Sequence, residues 1–469
     1  MKRILSALLV ICLLVPLTAT AFAKKNCDCG HSPVIYVHGF GGSLYNTETG
    51  KRVYAPESEA YTAVLPQIIG ASLALVGRAY PLFCTLAMQA AMSLLGEVAC
   101  DETGEPLYPT GPRGTALPND DVHGKYNVNG IADYAFNYDW RLDPMDTAAK
   151  LHTYVEHVKK LTGHDKVSIV VHSMGSIVLA SYLYLYGADS VDAAVFLAPA
   201  FGGVSIMGSL LSGEADISDK SEELSLFLQS QPSITDARIK TLVRVCGKLG
   251  LFRPILRWLQ GALDSQFDRA YRECLRPLFV TMPGLWAFVS DEYYERAKAF
   301  SFSDDPQLYA TLINRIDRYH NEVHLHLADI LRNAQAQGVR LSIVSGYGIS
   351  SLPLSRAHTQ QSDFLITTVC SSLGASAAPF GSALPTPYTQ TVADGHEHVS
   401  PDGLVDASTC LFPERTWFVR SLMHFDYPHE NAAFVRWLLE QPADTTVFTD
   451  PNYPQFLLQD GHDLRPVTE

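Results

Sequence analysis

Lys166-Val167-Ser168-Ile169-Val170-Val171-His172-Ser173-Met174-Gly175 is the stretch on which the reading of this 469-residue chain turns. Lys166 to Val170 is a strand-like run rich in β-branched residues, and from Ile177 to Tyr186 the apolar spacing becomes helical. A serine between a buried strand and a helix N-terminus sits where a nucleophile elbow belongs. The sharp turn exposes the hydroxyl, small neighbours admit strained backbone angles, and the helix points its positive end at the reaction centre. The general pattern is G-x-S-x-G, and here Val171 stands in the first position. The assignment of Ser173 as nucleophile therefore rests on the flanking strand and helix as much as on the motif. The competing reading is an ordinary strand-to-helix turn that happens to contain a serine.

Outward from the elbow, further strand-like runs occur at Val34 to Val37, Val191 to Leu197, Leu341 to Val344 and Thr416 to Val419. They alternate with helical patterns at Asp146 to Leu161, Ile177 to Tyr186 and Asn431 to Leu439, which predicts an α/β fold with a mostly parallel sheet flanked by helices. Two long segments exceed a minimal α/β unit, one from about 51 to 124 and one from about 205 to 337. The first contains Tyr61 to Ala99, an apolar stretch broken by Pro66, Pro81 and the lone charge of Arg78. Those interruptions favour an amphipathic or buried lid over a membrane span. The second is mixed, helical and aromatic, and is expected to form a cap.

Val37-His38-Gly39-Phe40-Gly41-Gly42 ends the first core strand, and its glycines let the loop fold close to the nucleophile. Two backbone N–H groups make an oxyanion hole, one from such a loop and one from the residue after the serine, so Phe40 and Met174 are the expected donors. His38 is expected to order the loop by hydrogen bonding. In this chain order the acid and base follow the serine. The acid is expected at Asp402, where Gly403 lets the turn aim a carboxylate inward, with Asp406 and Asp394 as competitors. The base is expected at His424, in the loop after the last strand, with His429 as the alternative.

With these residues in place the chain resembles the lecithin:cholesterol acyltransferase and lysosomal phospholipase A2-like group within the lipase-like α/β hydrolases. The resemblance is carried by Tyr138-Asp139-Trp140-Arg141-Leu142-Asp143-Pro144, by His172-Ser173-Met174-Gly175, and by Ala198-Pro199-Ala200-Phe201-Gly202-Gly203. Gly346-Tyr347-Gly348 and Asp402-Gly403-Leu404-Val405 extend it, over a core from Pro33 to about Leu439. It implies the α/β-hydrolase fold, a Ser-Asp-His triad, a membrane-contacting lid and a lipid carboxylic ester as substrate. Ser173, Asp402 and His424 are the residues carried over. Hydrolysis to water and transfer to a lipid alcohol use the same acyl-enzyme, so both reactions stay open. An inactive lipid carrier on the same fold is the reading from another class.

The formal charge of −14 excludes general phosphate attraction, so no nucleic-acid partner is expected. Lys2 and Arg3, the apolar run Ile4 to Leu17 and Thr18-Ala19-Thr20-Ala21-Phe22-Ala23 read as a cleaved export signal over residues 1–23, with one hydrolase domain over 24–469. A secreted or extracytoplasmic location follows as the expectation. Eight cysteines would remain, with Cys84–Cys100, Cys246–Cys274 and Cys370–Cys410 as the first disulfides to test. No second Cys/His pair follows Cys27-Asp28-Cys29 at zinc-like spacing. His396-Glu397-His398 lacks a third ligand, so no metal and no cofactor are predicted.

Overall fold

In the computed structural model the described residues are 27, 29–214, 220–230, 237–351, 359–427, 431–461 and 463–468. The expected export signal, and His429, lie outside them. The central sheet has eight strands: β1 Val34–Val37, β2 Tyr134–Phe136, β3 Val167–His172, β4 Val191–Leu197, β5 Arg340–Tyr347, β6 Thr416–Arg420, β7 Phe456–Asp460 and β8 Asp463–Pro466. Their spatial order is β8-β7-β6-β5-β4-β3-β1-β2. Every neighbouring pair is parallel except the last hairpin, in which Leu458 lies opposite Arg465. The five strands expected from sequence all lie in this sheet. The three that were not expected are β2 at one edge and the β7–β8 hairpin that closes the other.

The sheet is covered on both faces, which is why its inner strands are almost continuously apolar. The two-residue strand period sends Ile35, Val37, Ile169 and Val171 to one face and Val34, Tyr36 and Val170 to the other. Four helices bear on the site: α1 Ser58–Val76, α2 Tyr80–Leu95, α3 Pro144–Thr162 and α4 Gly175–Tyr186. Leu151 and Val155 of α3 and Leu179 of α4 fill the first face, and the helix Ala432–Glu440 packs Phe434, Val435 and Leu438 on the second. Each such buried side chain contributes about 1.5–3 kcal/mol. α3 starts at Asp143, whose carboxylate accepts the Met145 N–H at 2.8 Å, and stops at Gly163 with φ +74°. This layering, with a serine elbow between β3 and α4, is the α/β-hydrolase fold.

The first insertion contains the helical hairpin α1–α2. Pro66 sits inside α1 without ending it, and the break falls at Arg78, which has φ +58°. Leu65, Ile69, Leu73 and Val76 of α1 are exposed, the last two at 68% and 73%. Both α1 and the stretch Tyr80–Val98 are long and apolar enough to cross a membrane, and only a minor share of either is buried. The second insertion is helical and built on an aromatic cluster of Trp286, Tyr293, Tyr294, Phe302 and Tyr309.

Candidate active site

The C-terminal end of β3 delivers Ser173 into the elbow. Its φ of +50° is a left-handed backbone that a side chain tolerates only when the surroundings enforce it. Here the Ser173 N–H donates to the Leu197 carbonyl at 3.0 Å, and the Ser173 carbonyl accepts from the Ser176 hydroxyl at 2.6 Å. Val171, in the position where the general motif has glycine, is buried on β3 beside Val37 and Phe196 and leaves the turn intact.

His424 follows β6, as expected for the base, and its Nε2 lies 2.9 Å from Ser173 Oγ. Its other ring nitrogen, Nδ1, lies 2.8 Å from a carboxylate oxygen of Asp363. Asp363 thus occupies the position that the sequence reading gave to Asp402. Asp402 instead accepts from the Tyr347 hydroxyl at 3.1 Å and pairs with Arg420 at 3.2 Å, on the side of β5 and β6 away from the imidazole. The competitors are also occupied elsewhere. Asp406 accepts from the Tyr388 hydroxyl, and Asp394 meets His398.

Asp363 is fully buried and held from several sides. One oxygen accepts the N–H groups of Leu365 and Ile366 at 3.1 and 2.8 Å, leaving the other for His424. The His424 N–H in turn donates to the Asp363 carbonyl at 2.9 Å. The signal that could have found it is Gly346, at the end of β5. A Cβ there would stand 2.5 Å from Asp363 Cβ, so only glycine admits the aspartate to this depth. The Gly346-Tyr347-Gly348 stretch is visible in the sequence, but its partner is 17 residues away, beyond any local pattern.

The expected oxyanion loop lies against the elbow, with an added Cβ on Gly39 standing 2.9 Å from Ser173 Cβ. Among the described residues, neither the Phe40 nor the Met174 N–H has a backbone carbonyl partner. Both donors remain available, as a hole for an oxyanion requires. His38 orders this loop: Nδ1 donates to the Gly39 carbonyl at 2.7 Å, and the ring stacks on Tyr138 at 4.4 Å. Burial pushes the His38 pKa down. His172 is likewise buried, which drives its pKa well down, and its Nε2 donates to the His424 carbonyl at 3.0 Å. His172 therefore supports the His424 backbone from behind.

The Tyr138 to Pro144 stretch braces the same loop. Tyr138 donates its hydroxyl to the His38 carbonyl at 2.8 Å, and Trp140 Nε1 donates to the Gly42 carbonyl at 2.9 Å. Arg141 is fully buried. It forms a bidentate pair with Asp139 at 2.9 and 2.6 Å and donates to the carbonyls of Val98 and Thr110. Above the serine lies a cavity of about 440 Å³, walled by Phe40, Tyr54, Val204, Met207, Leu285, Phe288 and Leu365. The lining is apolar apart from Ser173, His172, His424 and the Tyr54 hydroxyl, which suits a hydrocarbon chain placed against a reactive hydroxyl.

The His396-Glu397-His398 cluster is not arranged for a metal. Both ring nitrogens of buried His398 are engaged, with Gln455 at 2.7 Å and Asp394 at 2.9 Å, and His396 stacks on Phe448. The expected disulfides are absent among the described residues, where all eight cysteines are free thiols. Cys84 shares a buried cluster with Cys274 rather than approaching Cys100, and Cys370 and Cys410 pack in separate places.

Residues 126–225 match the family model of lecithin:cholesterol acyltransferase, the group that the sequence motifs resembled. No curated protein matches the chain significantly. Among solved structures, the Tle4–Tli4 complex aligns over 87% of this chain and 97% of that one, at 12% identity and a TM-score of 0.32. A putative aryl esterase from Burkholderia cenocepacia aligns over 66% of this chain and 93% of its own, at 13% identity and a TM-score of 0.17.

Proposed function

We propose that this chain is a serine hydrolase of lipid carboxylic esters, working through an acyl-enzyme on Ser173. The observation that carries the proposal is the continuous hydrogen-bonded line from Ser173 Oγ through His424 to Asp363, set beneath an apolar cavity. In this reading His424 Nε2 takes the serine proton as Oγ attacks the ester carbonyl. Asp363 keeps the remaining imidazole proton on Nδ1 and stabilises the imidazolium that forms. The Phe40 and Met174 N–H groups receive the charge on the tetrahedral oxygen, a contribution of about 10²–10³ in turnover per donor. His424 then protonates the leaving alcohol, and water, deprotonated by the same histidine, releases the acid.

The match to the acyltransferase family over residues 126–225 supports transfer to a lipid alcohol as the second reading. The exposed apolar face of α1, four residues beyond the cavity-lining Tyr54, supports contact with a lipid surface. The sequence of residues 1–23 supports export, with the mature chain starting near Lys24, and amino-terminal sequencing of protein recovered from its native compartment checks this.

A fluorophosphonate probe tests the central claim. Folded protein is expected to be labelled at Ser173 and to hydrolyse phospholipid or acylglycerol vesicles, and absence of labelling would leave a lipid carrier as the better reading. Adding a lipid alcohol to the same assay separates the two reactions, because a new ester appears only if transfer competes with water.

A further inference from the structure

Along the sequence, Cys27-Asp28-Cys29 has no second Cys/His pair at zinc-like spacing. In the fold, two histidines from distant segments, His123 and His164, meet the two cysteines. One ligand atom from each of the four residues lies within 4.8 Å of all the others. Cys27 Sγ is 3.8 Å from His123 Nε2, and Cys29 Sγ is 3.4 Å from His164 Nε2. A tetrahedral zinc with metal–sulfur bonds of ~2.3 Å and metal–nitrogen bonds of ~2.0–2.1 Å requires ligand-to-ligand edges of roughly 3.3–3.8 Å. Both measured edges fall at the ends of that range.

The surroundings are also those of a ligand set. The Nδ1 of His123 meets the Asp121 carboxylate at 2.5 Å, which fixes the ring with Nε2 facing the sulfurs. A carboxylate behind a histidine in this way raises its basicity and sets its tautomer. The two imidazoles stand 4.9 Å apart at 69° to one another, so they fan around a common centre instead of stacking. The backbone holds Cys27, His164 and the neighbour of His123 in place independently of the ligand side chains. Cys27 N–H donates to the Gly163 carbonyl at 3.0 Å, His164 N–H caps α3 through the Lys159 carbonyl at 3.1 Å, and Val122 N–H beside His123 donates to the Tyr134 hydroxyl at 3.0 Å.

We propose that Cys27, Cys29, His123 and His164 bind one zinc ion in a closed tetrahedral S₂N₂ site. The site ties the segment leading into β1 to the loop before β2 and to the end of α3. It is structural, because all four positions are filled by protein and because it lies before β3 while Ser173 lies after it, about 20 Å along the strand at ~3.3 Å per residue. Binding converts both thiols to thiolates and releases two protons, leaving the zinc in its divalent state. Zinc is favoured over harder cations by the sulfur and imidazole donors.

The test uses the full chain, produced without a polyhistidine tag, dialysed into metal-free buffer and assayed by elemental analysis. One zinc per chain is expected, falling at least tenfold in the Cys27→Ser/Cys29→Ser and His123→Ala/His164→Ala variants, with hydrolysis of a soluble short-chain ester kept within about twofold. Cobalt loaded into the wild-type protein should give tetrahedral d–d bands and a thiolate-to-cobalt charge-transfer band, a readout that does not depend on any variant folding. Wild-type protein that takes up no stoichiometric zinc or cobalt would overturn the proposal. So would unchanged zinc in both variants, or a Cys27–Cys29 disulfide in freshly isolated protein.

Discussion

Replacing Asp363 and Asp402 by asparagine, one at a time, separates the two carboxylates. In Asp363→Asn the amide oxygen is expected to keep the Leu365 and Ile366 N–H groups, which turns the NH₂ toward His424 Nδ1. Nδ1 must then accept, so the proton moves to Nε2 and the base facing Ser173 is lost. Loss of the orienting carboxylate in a serine triad costs ~10⁴ in kcat, about 5.5 kcal/mol of transition-state stabilisation. Asp402→Asn instead removes a half-exposed ion pair with Arg420 and weakens one hydrogen bond from Tyr347. About 1–2 kcal/mol of stability and less than fivefold in turnover are expected. Hydrolysis of a soluble p-nitrophenyl ester, with thermal melting on the same samples, reads both quantities. If Asp402→Asn lost as much turnover as Asp363→Asn while still folded, the assignment of Asp363 would be refuted.

At the elbow, Ser173→Ala should abolish hydrolysis, and Ser173→Gly should melt higher than Ser173→Ala because glycine accepts φ +50° without strain, a difference of about 1 kcal/mol by denaturant titration. On the hairpin, Leu65→Ser/Leu73→Ser/Val76→Ser should leave the melting temperature unchanged and weaken vesicle sedimentation, since each side chain transferred to lipid contributes ~1.5–3 kcal/mol. Destabilisation with unchanged vesicle binding would assign this face to the core. For pH, burial pushes the Asp143 carboxyl up to about 6 despite the N–H it receives from Met145. A raised carboxyl favours the neutral form in the folded state, so its contribution is complete below pH ~4 and lost as pH rises through about 6, roughly 3 kcal/mol in all. Asp143→Asn should therefore gain on wild type by that order in urea titrations between pH 4 and 7.

What the sequence made legible follows the range of the interactions involved. Ser173, His424, the Phe40 loop and the inner strands are announced by their immediate neighbours: a strand before, a helix after, glycines at a bend. Asp363 is not, because what selects it is a gap at Gly346 on another strand and two N–H groups that exist only once its loop has folded. Asp402 attracted the assignment through a local turn signal that serves Leu404 and Arg420 instead. The same distinction hides the Cys27 cluster, whose members are separated by up to 137 residues and are joined by the packing of β1 beside β2 and β3.

The Arg141 guanidinium also has a mechanical consequence. It holds the carbonyls of Val98 and Thr110, which lie just downstream of the α1–α2 hairpin, and exposing a buried ion pair of this kind by removing one partner costs ~3–5 kcal/mol. The downstream root of the hairpin is thus its fixed end. The upstream root is held less deeply, by the pairing of Tyr54 with Leu44 and an exposed Arg52–Glu57 ion pair, and it runs directly from Tyr54, a wall of the cavity. If the hairpin tilts on a lipid surface as proposed, the motion turns about Val98 and is delivered to Tyr54, which lines the same cavity as Ser173. Amide exchange should accordingly be slower at Ala99 to Asp101 than at Ala55 to Glu57, and vesicles should change it only at the latter.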